Sequence, residues 1–328
     1  MPGSQRIRER IGPGILPVCP ITLQEFDAGK EDILYSRNGL RRLHAQLSRL
    51  QPLPISAEDQ RREAAARADK MSIQGVQPKL SAVLRVKEGR FEIVDSGGRF
   101  ILKPCPAEWN EVPENEALTM ALAGTCGIEV PDFGLVAASD GSWTFWIRRF
   151  DRFGRKERVP IEDFAQLQDR TRDTKYQSSM ERVVETIERF CSFPAVEKRK
   201  LARRVLFCFL TGNEDMHLKN YSLITTPKKV ELSPAYDLLN TSIILRDPKD
   251  EMAMPIRGKK SNLTRRDLVD HFCGERCGLA PKVLEALLEE LGTSVENWQE
   301  VIRRSFLSEE MREKYLDLLE RRSEKLFQ

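Results

Sequence analysis

The period of the apolar residues changes once along this chain, and that change limits the folds open to it more than any single motif does. From Lys79 to Lys103 short β-rich runs (LSAVLRV, FEIVD, RFILKP) are separated by turns at Lys87-Glu-Gly-Arg and Ser96-Gly-Gly, a pattern that predicts a three-stranded antiparallel meander. After Asp151 apolar positions recur at helical spacing, as at Leu201, Val205 and Phe209 or at Leu316, Leu319 and Leu326. No segment repeats at a fixed period, which removes solenoids and propellers. The expected fold is therefore α+β, with a small β-rich lobe before a larger α-helical one and a boundary near Ile147 to Arg152.

Within this frame, residues 1–70 read as an N-terminal extension or linker region, with a short helix around Asn38 to Leu50. A charged run, Ala57 to Lys70, follows and has the composition of a solvated helix. Residues 71–150 make the N-lobe: the meander, a helix over Glu114 to Gly124 that stops at glycine, and two further strands around IEVPDFGLVAA and WTFWIRRF. Residues 151–328 make the helical C-lobe, with helices expected over Met180–Ser192, Glu197–Thr211, Pro281–Leu291, Val295–Arg304 and Glu309–Leu326.

The charge is nearly balanced, 53 Lys plus Arg against 50 Asp plus Glu for a net of +3. That excludes a basic or acidic tail protein and disfavours direct DNA binding by this chain. The longest strongly apolar run, Val205 to Leu210, is far too short to span a bilayer. The first residues, MPGSQRIRER, lack the apolar stretch of a secretory signal, so a cytoplasmic protein with reduced thiols is expected. The seven cysteines are scattered and read as core residues; Cys273, Cys277 and His271 lack a second ligand pair at zinc-site spacing.

The chemistry concentrates in Gly212-Asn-Glu-Asp-Met-His-Leu-Lys-Asn220, which follows an apolar helix and precedes a short strand, Tyr221 to Ile224. Asp215 and Asn220 have the spacing D-x-x-x-x-N, and Asp237 follows a turn and a second strand, Val230 to Leu232. Phosphoryl transfer needs one carboxylate for the attacking hydroxyl, an amide oxygen and a second carboxylate for Mg²⁺, and a Lys for the phosphates. Lys103, at the end of the third strand, fits the last role, and Glu114 or Glu116 on the next helix fits its partner. An isolated Asp is most often a cap or turn residue, so the weight rests on the joint order of these groups. His217 fits a brace for the loop. No G-x-G-x-x-G is present; Ser72-Ile-Gln-Gly-Val-Gln-Pro-Lys79 precedes the first strand instead, with Gly75 open to close backbone approach by an anion and Lys79 supplying charge.

At these residues the sequence resembles the HipA family of bacterial toxin kinases. The matching blocks are Ser72 to Leu80, Phe100-Ile-Leu-Lys-Pro104, Glu114-Asn-Glu116, Arg149-Phe-Asp-Arg152, Gly212 to Ser222 and Ser233-Pro-Ala-Tyr-Asp-Leu238. The resemblance implies a two-lobed protein serine/threonine kinase fold using ATP and Mg²⁺. Carried over by motif, Asp215 is the proton acceptor and Asn220 and Asp237 hold Mg²⁺. Gln74, Gly75, Val76, Gln77 and Lys79 form the phosphate loop, and Lys103 contacts the phosphates. Arg148 and Phe150 belong to the hinge, and His217, Lys219, Asn220 and Tyr236 line the nucleotide site. Ser72 takes the position of the autophosphorylated serine.

Only 71 residues precede Ser72, which resembles the short HipT type. There a separate HipS-like protein supplies the missing N-terminal subdomain, and a HipB-like antitoxin binds DNA, so contact with DNA is indirect. The resemblance also implies an aminoacyl-tRNA synthetase as substrate, the tryptophanyl rather than the glutamyl enzyme. Two other readings compete with it. The spacing D-x-H-x-x-N of Asp215, His217 and Asn220 also fits a lipid or small-molecule kinase, although no basic amphipathic membrane segment accompanies it. The other is a non-catalytic kinase-like module that binds an antitoxin.

Overall fold

Alternation between Lys79 and Arg148 builds one antiparallel sheet. The computed structural model describes residues 16–28, 33–67, 77–153, 157–245 and 248–328. Its main sheet comprises β1 (Leu80–Arg85), β2 (Arg90–Ile93), β3 (Phe100–Pro104), β4 (Phe133–Ala137) and β5 (Trp143–Arg148), in the order β2-β1-β3-β5-β4. This is not the expected meander, because β1 lies between β2 and β3: Ala82 faces Ile93 on one side and Phe100 on the other. The Ser96-Gly-Gly turn makes the order possible by passing close to β1. A Cβ at Gly98 would sit 1.9 Å from Ser81 Oγ, so only glycine fits there.

The chain divides into two compact units. The first comprises Met1–Ala121, Pro131–Arg149 and Arg304–Ser308, and the second Leu122–Val130, Phe150–Arg303 and Glu309–Gln328. In the first unit, residues expected to form an extension supply cover for the sheet instead. Helix α1 (Arg37–Leu43) is capped by Ser36, whose Oγ accepts from Gly39 N at 3.0 Å, and α2 (Ala57–Ala66) is capped in the same way by Ser56. The charged face of α2 is solvated, as its composition predicts, but Ala57, Gln60 and Ala64 are buried, and Gln60 Oε1 accepts from Thr144 Oγ1 at 3.0 Å. Cys19, Ile21, Leu40, Leu43, Leu47, Leu50 and Leu53 form one core with Leu80, Phe91, Phe100, Leu102 and Trp146. Phe91 and Phe100 meet edge to face at 5.2 Å, and Trp146 completes the aromatic cluster.

Helix α3 (Val112–Thr125) follows β3. The second unit begins with a two-stranded pair, β6 (Arg152–Phe153) and β7 (Glu157–Arg158). Next come β8 (Ile161–Asp163), α4 (Phe164–Leu167), α5 (Met180–Phe190), α6 (Pro194–Leu210), β9 (Ser222–Thr225) and β10 (Val230–Leu232). A π-helix (Arg266–Arg276), α7 (Pro281–Arg303) and α8 (Glu309–Phe327) complete it. The expected hairpin is present as β9-β10, and β8 joins its other edge. The last turns of α6, Val205 to Leu210, are buried on every side, the signature of a central helix. Two helices expected over 281–304 are one: the Thr-Ser pair after Gly292 does not break it, because Ser294 Oγ donates to Glu290 O one turn back at 2.7 Å. No helix among the described residues is long and apolar enough to cross a membrane.

Because Leu43 is fully buried against the sheet, Leu43→Ala is expected to cost about 2–5 kcal/mol, read from a shift in the urea midpoint at unchanged slope. An unchanged midpoint would mean that this segment does not cover the sheet.

Candidate active site

In the first unit, β3 directs Lys103 into the interior. Its ammonium lies 2.5 Å from Glu116 Oε1 on α3, both side chains are about 2% exposed, and the Phe145 ring centroid is 5.4 Å away. Of the two acids considered from sequence, Glu116 makes this pair. Gln77 lies just before β1, and its side-chain Nε2 is buried with no partner among the described residues, a donor suited to an anion. Lys79 is partly buried beside it in sequence. Ser72, Gln74, Gly75 and Val76 lie outside the described residues. Arg148 is already committed: it pairs with Asp132 at 2.9 Å, donates to Leu43 O and covers the Phe100 ring at 4.8 Å.

In the second unit, α6 ends in a Schellman turn. Gly212 has φ +65°, its N–H donates to Phe209 O, and Asn213 N–H donates to Cys208 O. The Asn213 carboxamide then shapes the loop, with Oδ1 accepting from Asp215 N–H at 3.1 Å and Nδ2 3.5 Å from Asp237 O. Asn220 Nδ2 donates to Asp215 O at 2.8 Å. With its nitrogen engaged, Asn220 leaves Oδ1 as a hard oxygen donor, the ligand type Mg²⁺ takes. Asp237, also an oxygen ligand, holds φ +53°, a left-handed conformation that Asp tolerates better than most residues and that clusters at functional sites. The two side chains thus fit a divalent cation by chemistry.

The Asp215 side chain is 49% exposed. Its Oδ1 accepts from the Tyr176 hydroxyl, and its Oδ2 has no partner among the described residues. His217 does not bond it directly, since Nε2 lies 3.9 Å from Oδ1; the imidazole instead meets the Tyr176 ring edge-on at 5.0 Å. Burial pushes the His217 pKa below its ordinary 6.5, against the opposing pull of the Asp215 and Asp237 carboxylates.

Lys219 pairs with Asp163 at 2.9 Å. The Tyr236 hydroxyl donates to Lys219 O at 3.0 Å and meets Ser222 Oγ at 2.5 Å; burial raises its pKa and keeps it protonated. Phe150 lies 5.7 Å from the Tyr236 ring. The structure therefore brings Asp215, His217, Lys219, Asn220, Tyr236, Asp237 and Phe150 into one constellation in this unit. Tyr176 and Asn213 belong to it and were not found from sequence. Asn213 lies inside the polar stretch already singled out, whereas Tyr176 sits in a segment without periodicity.

This α+β arrangement, with a buried Lys–Glu pair on the sheet unit and an Asp-to-Asn loop on the helical unit, is of the kinase class. A family model for the HipA-like C-terminal domain matches residues 71–298, and the chain belongs to that family. It is 30% identical over 237 residues to a candidate kinase of Haemophilus influenzae, covering 68% of each chain. It is also 30% identical over 206 residues to the serine/threonine-protein kinase toxin HipA of Shewanella oneidensis, covering 57% of this chain and 47% of that one. Two candidate kinases of Sinorhizobium fredii are matched over 55% and 48% of their own lengths.

Among solved structures, the Shewanella oneidensis HipA, HipB and operator DNA complex aligns with TM-score 0.67 and 25% identity, covering 86% of this chain and 73% of that one. The Helicobacter pylori proinflammatory kinase CtkA shares the fold, with TM-score 0.54 at 15% identity over 78% of this chain and 91% of that one.

Removing one partner of the buried pair leaves the other charge unpaired, so Glu116→Ala is expected to cost about 3–5 kcal/mol in chemical denaturation. The double variant Lys103→Met/Glu116→Leu should recover most of that loss. A double variant no more stable than Glu116→Ala would show that the pair is needed for the fold itself.

Proposed function

We propose that the protein is an ATP-dependent serine/threonine protein kinase acting as the toxin of a toxin–antitoxin system. The observation that carries this is the loop geometry. Asn220 holds the Asp215 carbonyl through Nδ2, so the half-exposed Asp215 carboxylate and the Asn220 amide oxygen are presented from one rigid turn, as phosphoryl transfer requires.

In this reading Asp215 Oδ2 takes the proton of the acceptor hydroxyl. The acceptor's hydroxyl oxygen, not the carboxylate, forms the bond to the γ-phosphorus while the bond to the ADP oxygen breaks, and the proton stays on Asp215. Asn220 Oδ1 and Asp237 would hold Mg²⁺, which when bound would neutralise charge on the phosphates. Lys103, oriented by Glu116, contacts the phosphates, with Gln77 Nε2 and Lys79 as further donors. Gln74, Gly75 and Val76 complete the phosphate loop, and Phe150 and Tyr236 line the nucleotide site. Arg148 and Lys219 act through the contacts they already make, supporting β5 and the end of β8. Ser72 is the autophosphorylation site, where a phosphate adds roughly two negative charges.

The toxin assignment draws on the relative named as the HipA toxin kinase and on the solved complex of HipA with HipB and operator DNA. A HipB-like antitoxin is thus the partner proposed. A HipS-like partner of the short HipT arrangement and an aminoacyl-tRNA synthetase substrate, tryptophanyl favoured, rest on the motif resemblance alone.

Incubation of wild type with γ-labelled ATP and Mg²⁺ in a bacterial lysate is expected to label one synthetase, and Asp215→Asn to lose that labelling by at least about 1,000-fold, more than 4 kcal/mol of barrier. Labelling that persists in Asp215→Asn would refute the assignment of the base, and label on lipid alone would favour the lipid-kinase reading. In the same reactions, phosphosite mapping should find Ser72 modified in wild type and no phosphate on this segment in Ser72→Ala; an unmodified Ser72 in active wild type would refute the autophosphorylation site.

A further inference from the structure

The segment between α4 and α5 carries one aromatic residue whose position the chemistry above leaves unexplained. Tyr176 is 39% exposed, yet its hydroxyl is directed inward onto Asp215 Oδ1. Its ring has three neighbours: His217 edge-on at 5.0 Å, Lys175 Nζ at 5.0 Å and Lys260 Nζ at 5.9 Å from the centroid. The backbone beside it is fixed as well. Lys175 O accepts from Leu218 N–H at 3.3 Å, inside the Asp215–Asn220 loop, and Thr174 Oγ1 and O accept from Thr171 and Gln177 N–H at 2.8 and 2.9 Å. Ser178 donates to Gln168, which in turn bonds Thr186 on α5 at 3.0 Å. A residue held this way is not a loose lid.

The two oxygens of Asp215 are consequently unlike. Oδ1 is occupied by a phenol, whereas Oδ2 has no partner among the described residues and belongs to a half-exposed side chain. A carboxylate bonded at one oxygen cannot rotate freely about its terminal torsion, so the other oxygen is presented in one direction. We infer that Tyr176 is the positioning residue of this site: its hydroxyl locks the Asp215 carboxylate and assigns Oδ2 as the atom that receives the acceptor's proton. The inference rests on the reading of Asp215 as proton acceptor and names a group outside the motif that supplies it. Burial, and then the bond to Asp215, raise the Tyr176 pKa, which keeps the phenol a donor at physiological pH.

Phenylalanine keeps the ring against His217 and the lysines and removes only the hydroxyl, so Tyr176→Phe separates positioning from packing. With γ-labelled ATP and the acceptor protein labelled in the lysate, Tyr176→Phe is expected to lower kcat about tenfold, the scale of one lost hydrogen bond to a charged group. KM for ATP and the thermal midpoint should not move. Tyr176→Leu should lose the same kcat and also some stability.

A kcat for Tyr176→Phe within about twofold of wild type would overturn the inference, as would a raised KM at constant kcat. So would an increased kcat, which would make the hydroxyl a blocker of the acceptor's place. Asp215→Asn, run in parallel, separates the two failures. An inactive Asp215→Asn beside an unaffected Tyr176→Phe removes the Tyr176 assignment alone, whereas an active Asp215→Asn removes both.

Discussion

How α6 ends governs the geometry of the site. A helix buried on every side in its last turns cannot give its final carbonyls to water, so they must be satisfied by the chain itself. Gly212 does this by taking a left-handed conformation, and the space there admits nothing larger: a Cβ would meet Asn240 Oδ1 at 2.7 Å, with Leu318 Cδ2 and Ser242 Oγ at 2.9 Å. The carbonyl of the same glycine accepts from Ser242 N–H, Ser242 Oγ and Thr241 Oγ1, and Glu214 N–H donates back to Thr241 Oγ1 at 2.7 Å. The segment carrying Asp237 is thereby stitched to the loop carrying Asp215. The distance between two acids far apart in sequence is set by one helix terminus.

Buried positive charge is the second organising element, and it is handled differently in the two units. Lys103 has a carboxylate partner, and a Lys can also shed its proton if that partner is lost. Arg204 on α6, 3% exposed, stays cationic through its chemistry. It donates to Ser233 O at 2.8 Å and lies near Tyr221 and Tyr236, while burial works against its charge. A guanidinium is costly in this environment unless its geometry is satisfied. Here only Nη2 is bonded, to Ser233 O between β10 and Asp237, while Nε and Nη1 are buried without a partner among the described residues, so part of that cost is left standing.

The parts of this architecture legible in sequence are those with a short-range signature. The switch of period located the strands and helices, the D-x-x-x-x-N spacing located the loop, and Lys103 stood out by its place at the end of the third strand, just before the acidic helix. Strand order was not legible, since pairing of β1 with both β2 and β3 is a long-range outcome that local turn chemistry does not encode. The charged composition of Ala57–Lys70 hid the small buried face of α2, where alanines and one glutamine rather than large apolar residues meet the sheet unit's core. The choice of Glu116 over Glu114 depended on helix phase relative to β3, and the Tyr176 contact on a loop with no periodicity at all.

The packing of α8 has a consequence for the order of synthesis. Leu318 lies against Gly212, Arg322 covers the Phe209 ring at 4.6 Å, and Arg322 and Lys325 both pair with Glu251. A ribosome delivers Asp215 and Asn220 well before it delivers these residues, and chains fold as they emerge. The nascent polypeptide therefore carries every group of the loop before it has the helix that closes over the loop's first residue. The surroundings of Gly212, and with them the tight turn that opens the loop, are complete only once α8 has been made.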